Sequence, residues 1–338
     1  MSVVGTAFWY GQNTANLINT QTQISKATQQ VSTGEKTNNY GDLGAQALSS
    51  ISLADQKQTI DNYSSTITLL QMRASMVNQS LSSIASTATT IRDDALTGIN
   101  KATDFASIRS EAAGALQQVF SALGANIAGR LLFSGQTLGT APVVDPTTLG
   151  TIVASAVTTA TSSSTSTSFA TDLLNAVDTT LATSGTYYTG GASSTAVNIG
   201  DSQTVTMDIT ANDPAILKVI SGLYALANIP NPSPDPVTPP AIDQATQTAT
   251  IQAVVQRLTD SIGGVNDLVT KNGETQAVLN TAATQNGQAS TILEQQFSNI
   301  NSADLTATSS TLTQLQNQLQ ASYKVTAAVK DLSLVNYL

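Results

Sequence analysis

Histidine and cysteine are both absent from the 338 residues, and only 13 Lys+Arg and 22 Asp+Glu side chains carry charge. Without imidazole or thiol, the usual general bases, thiolate nucleophiles and nitrogen or sulfur metal ligands are missing. The net charge of −9 argues against a nucleic-acid partner, because that affinity comes mainly from clustered basic side chains. We therefore expect no enzyme, no cofactor, no metal site and no nucleic acid.

Long apolar runs are also missing. The nearest candidate, residues 214–229, is interrupted by Lys218, Ser221 and Gly222 and is too short to cross a bilayer. The first residues carry no basic segment and turn polar after Tyr10, unlike a Sec signal peptide. We expect no membrane partner, and a location either in the cytosol or outside the cell by a route without a cleaved signal.

Proline is confined to one part of the chain. All nine prolines lie between Pro142 and Pro240, so both flanks lack the residue that breaks helices. Charge divides similarly, because residues 131–256 hold one base and eight acids, a balance of −7, which leaves −2 for the flanks. The sequence therefore predicts two nearly neutral helical arms around an acidic insert.

Apolar residues at 60–95 recur at alternating intervals of three and four, which is the spacing of a coiled-coil seam. Residues 251–300 repeat this spacing, with a polar stretch at Asn272 and Gln276 in its middle. We expect the two arms to pair within the chain. The principal seam positions are Ile60, Ile67, Leu70, Val77, Leu81, Ile84, Ile91, Leu258, Val265, Leu279 and Leu293.

The two outermost segments carry weaker patterns. Helices in water depend on a broad apolar face, so helices with a narrow stripe are expected to become ordered only among copies of the chain. The alternative is a pair of ordinary amphipathic helices docked on their own domain. The stripes consist of Tyr10, Leu17, Ile24 and Val31 near the start and Leu312, Leu315, Leu319, Val325, Val329 and Leu332 near the end.

The insert combines two kinds of pattern. Residues 151–159 and 195–210 alternate apolar and polar side chains, which predicts strands, with Gly200-Asp201 as a turn. Residues 169–181 and 213–228 have helical spacing instead. We therefore expect a small α+β domain.

Two local signals mark the end of the insert. Asp213-Pro214 has the residue types preferred at the first two positions of a helix. The proline-rich run from Ile229 to Pro240 predicts an extended connector that returns the chain to the C-terminal arm.

Four segments of the arms form a recognisable set: QQVSTGEK at 29–36, GRLLFSG at 129–135, LQASY at 319–323 and LSLVNYL at 332–338. Together they resemble the bacterial flagellin family, in which such segments end the first helix, link the arm to the insert, and form the C-terminal helix and tail. The family includes filament flagellins and the hook-filament junction protein. NNYGDLGA at 38–45 departs from the R-[IV]-N-[ST]-A-x-D-[DN]-A segment usual in filament flagellins.

The resemblance implies a mainly α fold, with long N- and C-terminal α-helical coiled-coil arms paired with each other and a small α+β outer domain inserted between them. The implied segments are an inner-tube helix at 1–35, a coiled-coil arm at 36–140, a variable insert at 141–245, a second arm at 246–303 and a second inner-tube helix at 304–338.

The resemblance also implies a function. The chain is expected to be a flagellin, a structural subunit that self-assembles through its terminal helices into the hollow filament used for swimming. One alternative is the hook-filament junction protein, which forms a ring between hook and filament, and a more remote one is a secreted coiled-coil adhesin or translocator. Implied partners are other copies, hook-associated proteins, the filament cap, the flagellar export apparatus and an export chaperone, at an extracellular location.

Subunit contacts are expected on the outer helices. The aromatic run Phe8-Trp9-Tyr10 has no basic face beside it, so we interpret it as a packing plug between subunits and not as a membrane anchor. The expected interface residues are Phe8, Trp9, Tyr10, Leu17, Ile24, Val31, Leu312, Leu315, Leu319, Tyr323, Val329 and Leu332.

Overall fold

The computed structural model describes residues 2–37, 39–99, 105–137, 139–193, 196–232 and 242–335. Most of these residues are helical, so the prediction of a mainly α fold is confirmed. The helices are α1 (Ser2–Thr33), α2 (Ala47–Gly98), α3 (Phe105–Leu123), α4 (Pro146–Thr161), α5 (Phe169–Ala182), α6 (Pro214–Ala227), α7 (Gln244–Asn301) and α8 (Leu305–Val335). Four short strands accompany them, β1 (Asn126–Ile127), β2 (Arg130–Leu131), β3 (Val197–Gly200) and β4 (Gln203–Val205).

The chain separates into two units. The first contains Met1–Asn62 and Asn286–Leu338, and the second contains Tyr63–Gln285. Helices α2 and α7 contribute residues to both units. Helix α1 ends at Thr33 and α8 begins at Leu305, near the limits expected for the outer helices, whereas the five-part division of the chain remains a prediction.

The main core of the second unit is built where α2 and α7 meet the helices of the insert. Buried residues from α2, α3, α4, α5, α6 and α7 form one continuous apolar cluster. Tyr187 is fully buried within it, and its hydroxyl donates to the carbonyl oxygen of Ala211 at 2.8 Å. The edge of the Phe120 ring also contacts the Tyr187 ring, with the ring centres 6.4 Å apart. The insert and the arms therefore share a core in this unit.

A second, smaller cluster lies further along the α2 and α7 seam. There the antiparallel hairpin of β3 and β4 covers the two helices with Ile199 and Val205. Its helical residues are Ile67, Leu70 and Ala74 of α2 and Leu279 and Ala282 of α7. A two-helix seam leaves one side open to water, and the hairpin removes part of that side from solvent.

The strand prediction for residues 151–159 is wrong, because these residues form α4. The buried positions Leu149, Val153 and Val157 are four apart, which is a helical face. Asp145 caps this helix by accepting from the amides of Thr147 and Thr148 at 3.0 and 3.1 Å. The mixture of small apolar and polar residues at 151–159 misled the prediction. Asp145-Pro146 is the same helix-start signal that was recognised at Asp213-Pro214, but it was overlooked here.

The remaining predictions for the insert fare better. Helices were expected at 169–181 and 213–228, and α5 and α6 occupy those positions, with Asp213 accepting from the amide of Ala215 at 3.0 Å. The hairpin expected within 195–210 is present but shorter, as β3 and β4 end by Val205. Most of the expected proline-rich connector, residues 233–240, lies outside the described residues.

The GRLLFSG segment begins in a tight hairpin. β1 and β2 pair antiparallel, with Ala128 and Gly129 between them at φ of 50° and 79°. Two consecutive residues with positive φ define the turn that matches the twist of a two-residue hairpin. The hairpin turns the chain back after α3, and Phe133 then inserts fully buried into the main core.

Candidate assembly interface

Helices α1 and α8 lie against each other in the first unit. The amide nitrogen Nδ2 of Asn13 donates to Oγ1 of Thr326 at 2.7 Å, and Nε2 of Gln21 donates to the hydroxyl of Tyr323 at 2.9 Å. The residue numbers run in opposite directions, so the pair is antiparallel. Both cross-helix bonds join neutral groups, which avoids the cost of desolvating charge.

The contact face of α1 contains more than the residues of its apolar stripe. Leu17 and Ile24 are half-buried, while Thr20 and Ala27 between them are 8% and 5% exposed. The Thr20 hydroxyl donates to the carbonyl oxygen of Asn16 at 2.8 Å, so its polar group is satisfied within its own helix. This local bond lets a threonine occupy a seam position, and the face becomes two residues wide.

A short clasp joins the end of α1 to the junction between α7 and α8. The backbone amide of Lys36 donates to the carbonyl oxygen of Asn301 at 2.7 Å. The backbone amide of Ala303 donates to the carbonyl oxygen of Gly34 at 2.8 Å. The ammonium group of Lys36 also donates to the carbonyl oxygen of Ile300 at 2.7 Å. A cation at the C-terminal end of α7 is favourable, because carbonyl oxygens concentrate negative charge there.

The expected interface residues on the outer helices are not deeply buried within the single chain. Phe8 is 73% exposed, Tyr323 is 49% exposed and Val31 is also exposed. Half-buried positions on α8 are Leu312, Leu315 and Leu319. Trp9, Tyr10, Val329 and Leu332 belong to α1 and α8, but their side chains lie outside the described part of the chain.

The expected seam residues of α2 and α7 are mostly removed from solvent. Ile60 is half-buried. The other ten are at most 8% exposed, namely Ile67, Leu70, Val77, Leu81, Ile84, Ile91, Leu258, Val265, Leu279 and Leu293. In the polar middle of the seam, Nδ2 of Asn272 donates to the carbonyl oxygen of Ala74 at 2.7 Å and is buried.

Lys57 ties α2 to α7 in the first unit. Its Nζ lies 2.8 Å from a carboxylate oxygen of Asp61 and 3.4 Å from one of Glu294. Hydrogen bonding to Asp61, and secondarily to Glu294, raises the pKa of Lys57 above its ordinary value. The group is solvated, so this bridge orients the two helices more than it stabilises them.

Large apolar side chains remain exposed on α2. In the first unit, Leu48 is 82% exposed and Ile51 is 47% exposed. In the second unit, Leu69, Met72 and Met76 are all exposed and are spaced by three and four, so they share one face of the helix. Contiguous exposed apolar residues on a soluble protein often mark a surface that binds another protein.

Other kinds of site find no support in the part of the chain that the structure covers. Among the described residues, no three potential ligands lie close enough together to hold a metal ion, and the only candidates are Asp and Glu because the chain has no His or Cys. Among the described helices, none is both long and apolar enough to cross a membrane.

Some contacts of the outer helices were missed by sequence reasoning. The spacing of the apolar stripe gave no sign that Thr20 and Ala27 would be buried or that Asn13 and Gln21 would bond to α8. The clasp through Lys36 and Ala303 had no sequence signal beyond the turn residue Gly34. Backbone bonds between distant segments depend on the fold and leave no pattern in side-chain order.

Comparisons with known proteins agree on one family. The model of the bacterial flagellin N-terminal helical region matches residues 4–138, and that of the C-terminal helical region matches residues 245–338. No curated protein sequence matches the chain.

Solved structures share the fold at low sequence identity. A protein from Vibrio parahaemolyticus, assigned to the flagellar hook-associated proteins, is 16% identical with a TM-score of 0.54, covering 76% of this chain and 97% of that one. Bacillus cereus FlgL is 13% identical with a TM-score of 0.52, covering 73% of this chain and 99% of that one.

Proposed function

The chain belongs to the bacterial flagellin family and is a structural protein of the flagellum, and from this premise we propose that it assembles with its own copies through α1 and α8. In such an assembly the outer helices line the inside of an axial tube and the insert faces solvent. Contacts of this kind do not close between two molecules and continue from one copy to the next. The acidic insert would keep the outer surface soluble through mutual repulsion.

The observation that carries the proposal is the narrow face shared by α1 and α8. It buries Thr20 and Ala27 but leaves Phe8 73% exposed and Tyr323 49% exposed. Among the described residues, the pair is held by a narrow stripe and by neutral hydrogen bonds such as those from Asn13 and Gln21, and these gain little from water exclusion. Copies packed on either side would bury the exposed apolar residues and supply the missing stabilisation.

Two assemblies fit this surface, and we favour the hook-filament junction over the filament itself. Residues 38–45 lack the segment that is usual in filament flagellins, and Asn39 instead caps a short 3-10 helix by accepting from the amide of Gly41 at 3.1 Å. The fold likeness to the hook-associated protein from Vibrio parahaemolyticus and to Bacillus cereus FlgL, which spans 97% and 99% of their chains, supports the same choice. The filament subunit is the second candidate, supported by the match to the flagellin helical regions at both ends.

Deletion of residues 305–338 tests whether the terminal helices drive assembly. The second unit has its own core, so the truncated protein should remain folded by circular dichroism and urea unfolding but should be missing from sheared flagella. Ile152→Ser, at an exposed position of α4 in the insert, is the matched control and should still be incorporated. A truncated chain found in flagella at the normal amount would overturn the proposal.

The position of the protein separates the two assemblies. Immunogold labelling in electron micrographs should give one band where the hook meets the filament, and removal of the gene should leave hooks without filaments. Label along the full length of the filament would instead establish the second candidate and reject the junction. Export through the flagellar apparatus is part of both assemblies.

A further inference from the structure

Arg73 is a buried cation without a counterion. It lies on α2 in the second unit and is only 7% exposed. Its Nε is buried and has no hydrogen-bond partner among the described residues, and no carboxylate within this part of the chain forms an ion pair with it. Burial lowers the pKa of its guanidinium, and the neighbouring Arg130 lowers it further. Charged side chains are rarely buried unless they are paired.

Hydrogen-bond donors outnumber acceptors among the unpartnered buried side-chain atoms described in the second unit. In the second unit, the described buried side-chain atoms without a partner include three donors, Nε of Arg73, Nε of Arg130 and Nε2 of Gln276. The acceptor in the same condition is Oδ1 of Asn78. Each unmatched donor costs free energy comparable to a lost hydrogen bond. An occupant that accepts hydrogen bonds and carries negative charge would correct both deficits.

A cavity of about 10 Å³ adjoins the Arg73 side chain. That is close to the lower limit for one water-sized occupant. Its charged lining residues are Arg73, Lys271 and Asp208, a balance of +1, and Lys271 and Asp208 already pair at 2.8 Å. Asn272 and Thr275 of α7 line it as well. The size excludes carboxylates, phosphate and sulfate, and the charge favours an anion over a neutral molecule.

We propose that this cavity binds a single monatomic anion, such as chloride, held by the Arg73 guanidinium. The anion neutralises the buried cation and accepts the hydrogen bond that Nε of Arg73 leaves open. It thereby ties α2 to α7 beside β2, where the GRLLFSG segment begins. The site is a property of the monomer and does not depend on assembly.

Thermal unfolding of the full chain tests the site. The anion binds the folded state alone, so sodium chloride should raise Tm over sodium gluconate at equal ionic strength, and above the dissociation constant the rise should grow with the logarithm of the chloride concentration. The rise should be about 3–6 °C when chloride exceeds its dissociation constant tenfold. An equal Tm in the two salts at all concentrations would overturn the proposal.

Two substitutions assign the effect to the cavity. Arg73→Gln should abolish the difference between the salts, whereas Arg92→Gln, at an arginine of the same helix that pairs with Asp93, should preserve it. Asp208→Asn should tighten chloride binding several-fold, because it removes the negative charge from the lining. A difference that persists in Arg73→Gln would instead identify a general salt effect and reject the site.

A direct readout protects the test against variants that fail to fold. Crystals of the wild-type chain grown or soaked in bromide should give an anomalous peak beside Nε of Arg73. A water molecule in the cavity and no bromide peak would overturn the proposal, whatever the variants do.

Discussion

Arg257 and Asp178 form a bidentate pair across two helices of the second unit. Nη1 of Arg257, on α7, donates to both carboxylate oxygens of Asp178, on α5, at 2.9 and 2.8 Å. Ser221 of α6 donates its hydroxyl to the same carboxylate. One cluster therefore fixes two helices of the insert to the C-terminal arm.

Loss of this cluster should weaken the second unit. We expect Arg257→Ala to lower the free energy of unfolding by about 1–2 kcal/mol, the lower range for a charged hydrogen bond, since both side chains are partly exposed. Arg92→Ala is the control, because Arg92 pairs only with the adjacent Asp93 among the described residues and should change stability by less than about 0.5 kcal/mol. Urea unfolding measures both, and equal losses would refute the special role of the cluster.

Asn272 gives a second prediction, in the seam. Asn272→Ala removes the buried hydrogen bond to the Ala74 carbonyl oxygen and should cost about 1–2 kcal/mol. Asn280→Ala removes an exposed hydrogen bond between the side chains of Gln71 and Asn280 on the same helix pair. This loss should cost only a few tenths of a kcal/mol. Similar urea midpoints for the two variants would show that the buried bond contributes nothing special.

Gly135, the last residue of GRLLFSG, should not tolerate a side chain. Its φ is +64°, and a Cβ there would lie 2.1 Å from the carbonyl oxygen of Ala192. Gly135→Ala should therefore lose on the order of 3 kcal/mol, from backbone strain and a clash with fixed backbone. Gly129→Ala has the same positive φ but open space around it, and should lose only about 1 kcal/mol. Guanidinium unfolding curves compare them, and an equal loss would mean that the clash relaxes.

Alkaline pH should destabilise the protein through its buried tyrosines. Burial raises the pKa of Tyr187 well above its ordinary value and also raises that of Tyr224. Both phenols thus contribute stability that is complete below pH about 10 and is lost as pH rises towards their folded-state values, at about 1.4 kcal/mol per pH unit for each tyrosine.

The variants for this pH test differ in burial. Tyr187→Phe should flatten the decline above pH about 10, because it removes one titrating group. Tyr323→Phe, at a position 49% exposed, is the matched control. Urea unfolding at a series of pH values supplies the measurement, and a Tyr187→Phe profile parallel to the wild type would rule out the buried phenol as the cause.

Hydrogen exchange tests how firmly the outer helices are held in the monomer. The amides of α1 and α8 should exchange at nearly unprotected rates, since the pair has a narrow stripe and few cross-helix bonds. The amides around Leu81 and Val265 should be strongly protected, because both side chains are fully buried. Comparable protection in the two places would favour helices that are docked stably on their own chain.

The outer helices show where sequence information ends. The seven-residue spacing of Leu17 and Ile24 predicts which side of α1 is inward. Thr20 and Ala27, however, become buried only because α8 lies opposite them. The order of side chains cannot reveal that Thr20 satisfies its hydroxyl within its own helix. Apolar residues spaced by three and four identify the inward face of a helix. Only the tertiary structure decides which helix packs against that face.

The strand prediction for part of the insert was wrong for a related reason. Residues 151–159 mix small apolar and polar side chains in an order that suits either a strand or a helix, and their β-branched Thr, Ile and Val favour the strand locally. Burial of Leu149, Val153 and Val157 against the main core selected the helix. Tertiary packing overrode local propensity, since a helix of that spacing buries more apolar surface there.

The sequence by itself determined the helical arms, because proline is missing from both flanks and apolar residues recur at seam spacing over many turns. It also determined the unequal charge of arms and insert, which needs no coordinates. Only the tertiary structure brought the Arg73 guanidinium beside Arg130 and buried Arg73 without an ion pair to a described carboxylate. The two arginines are 57 positions apart in the chain (130 − 73), and it is folding, not local order, that places them together and removes Arg73 from water.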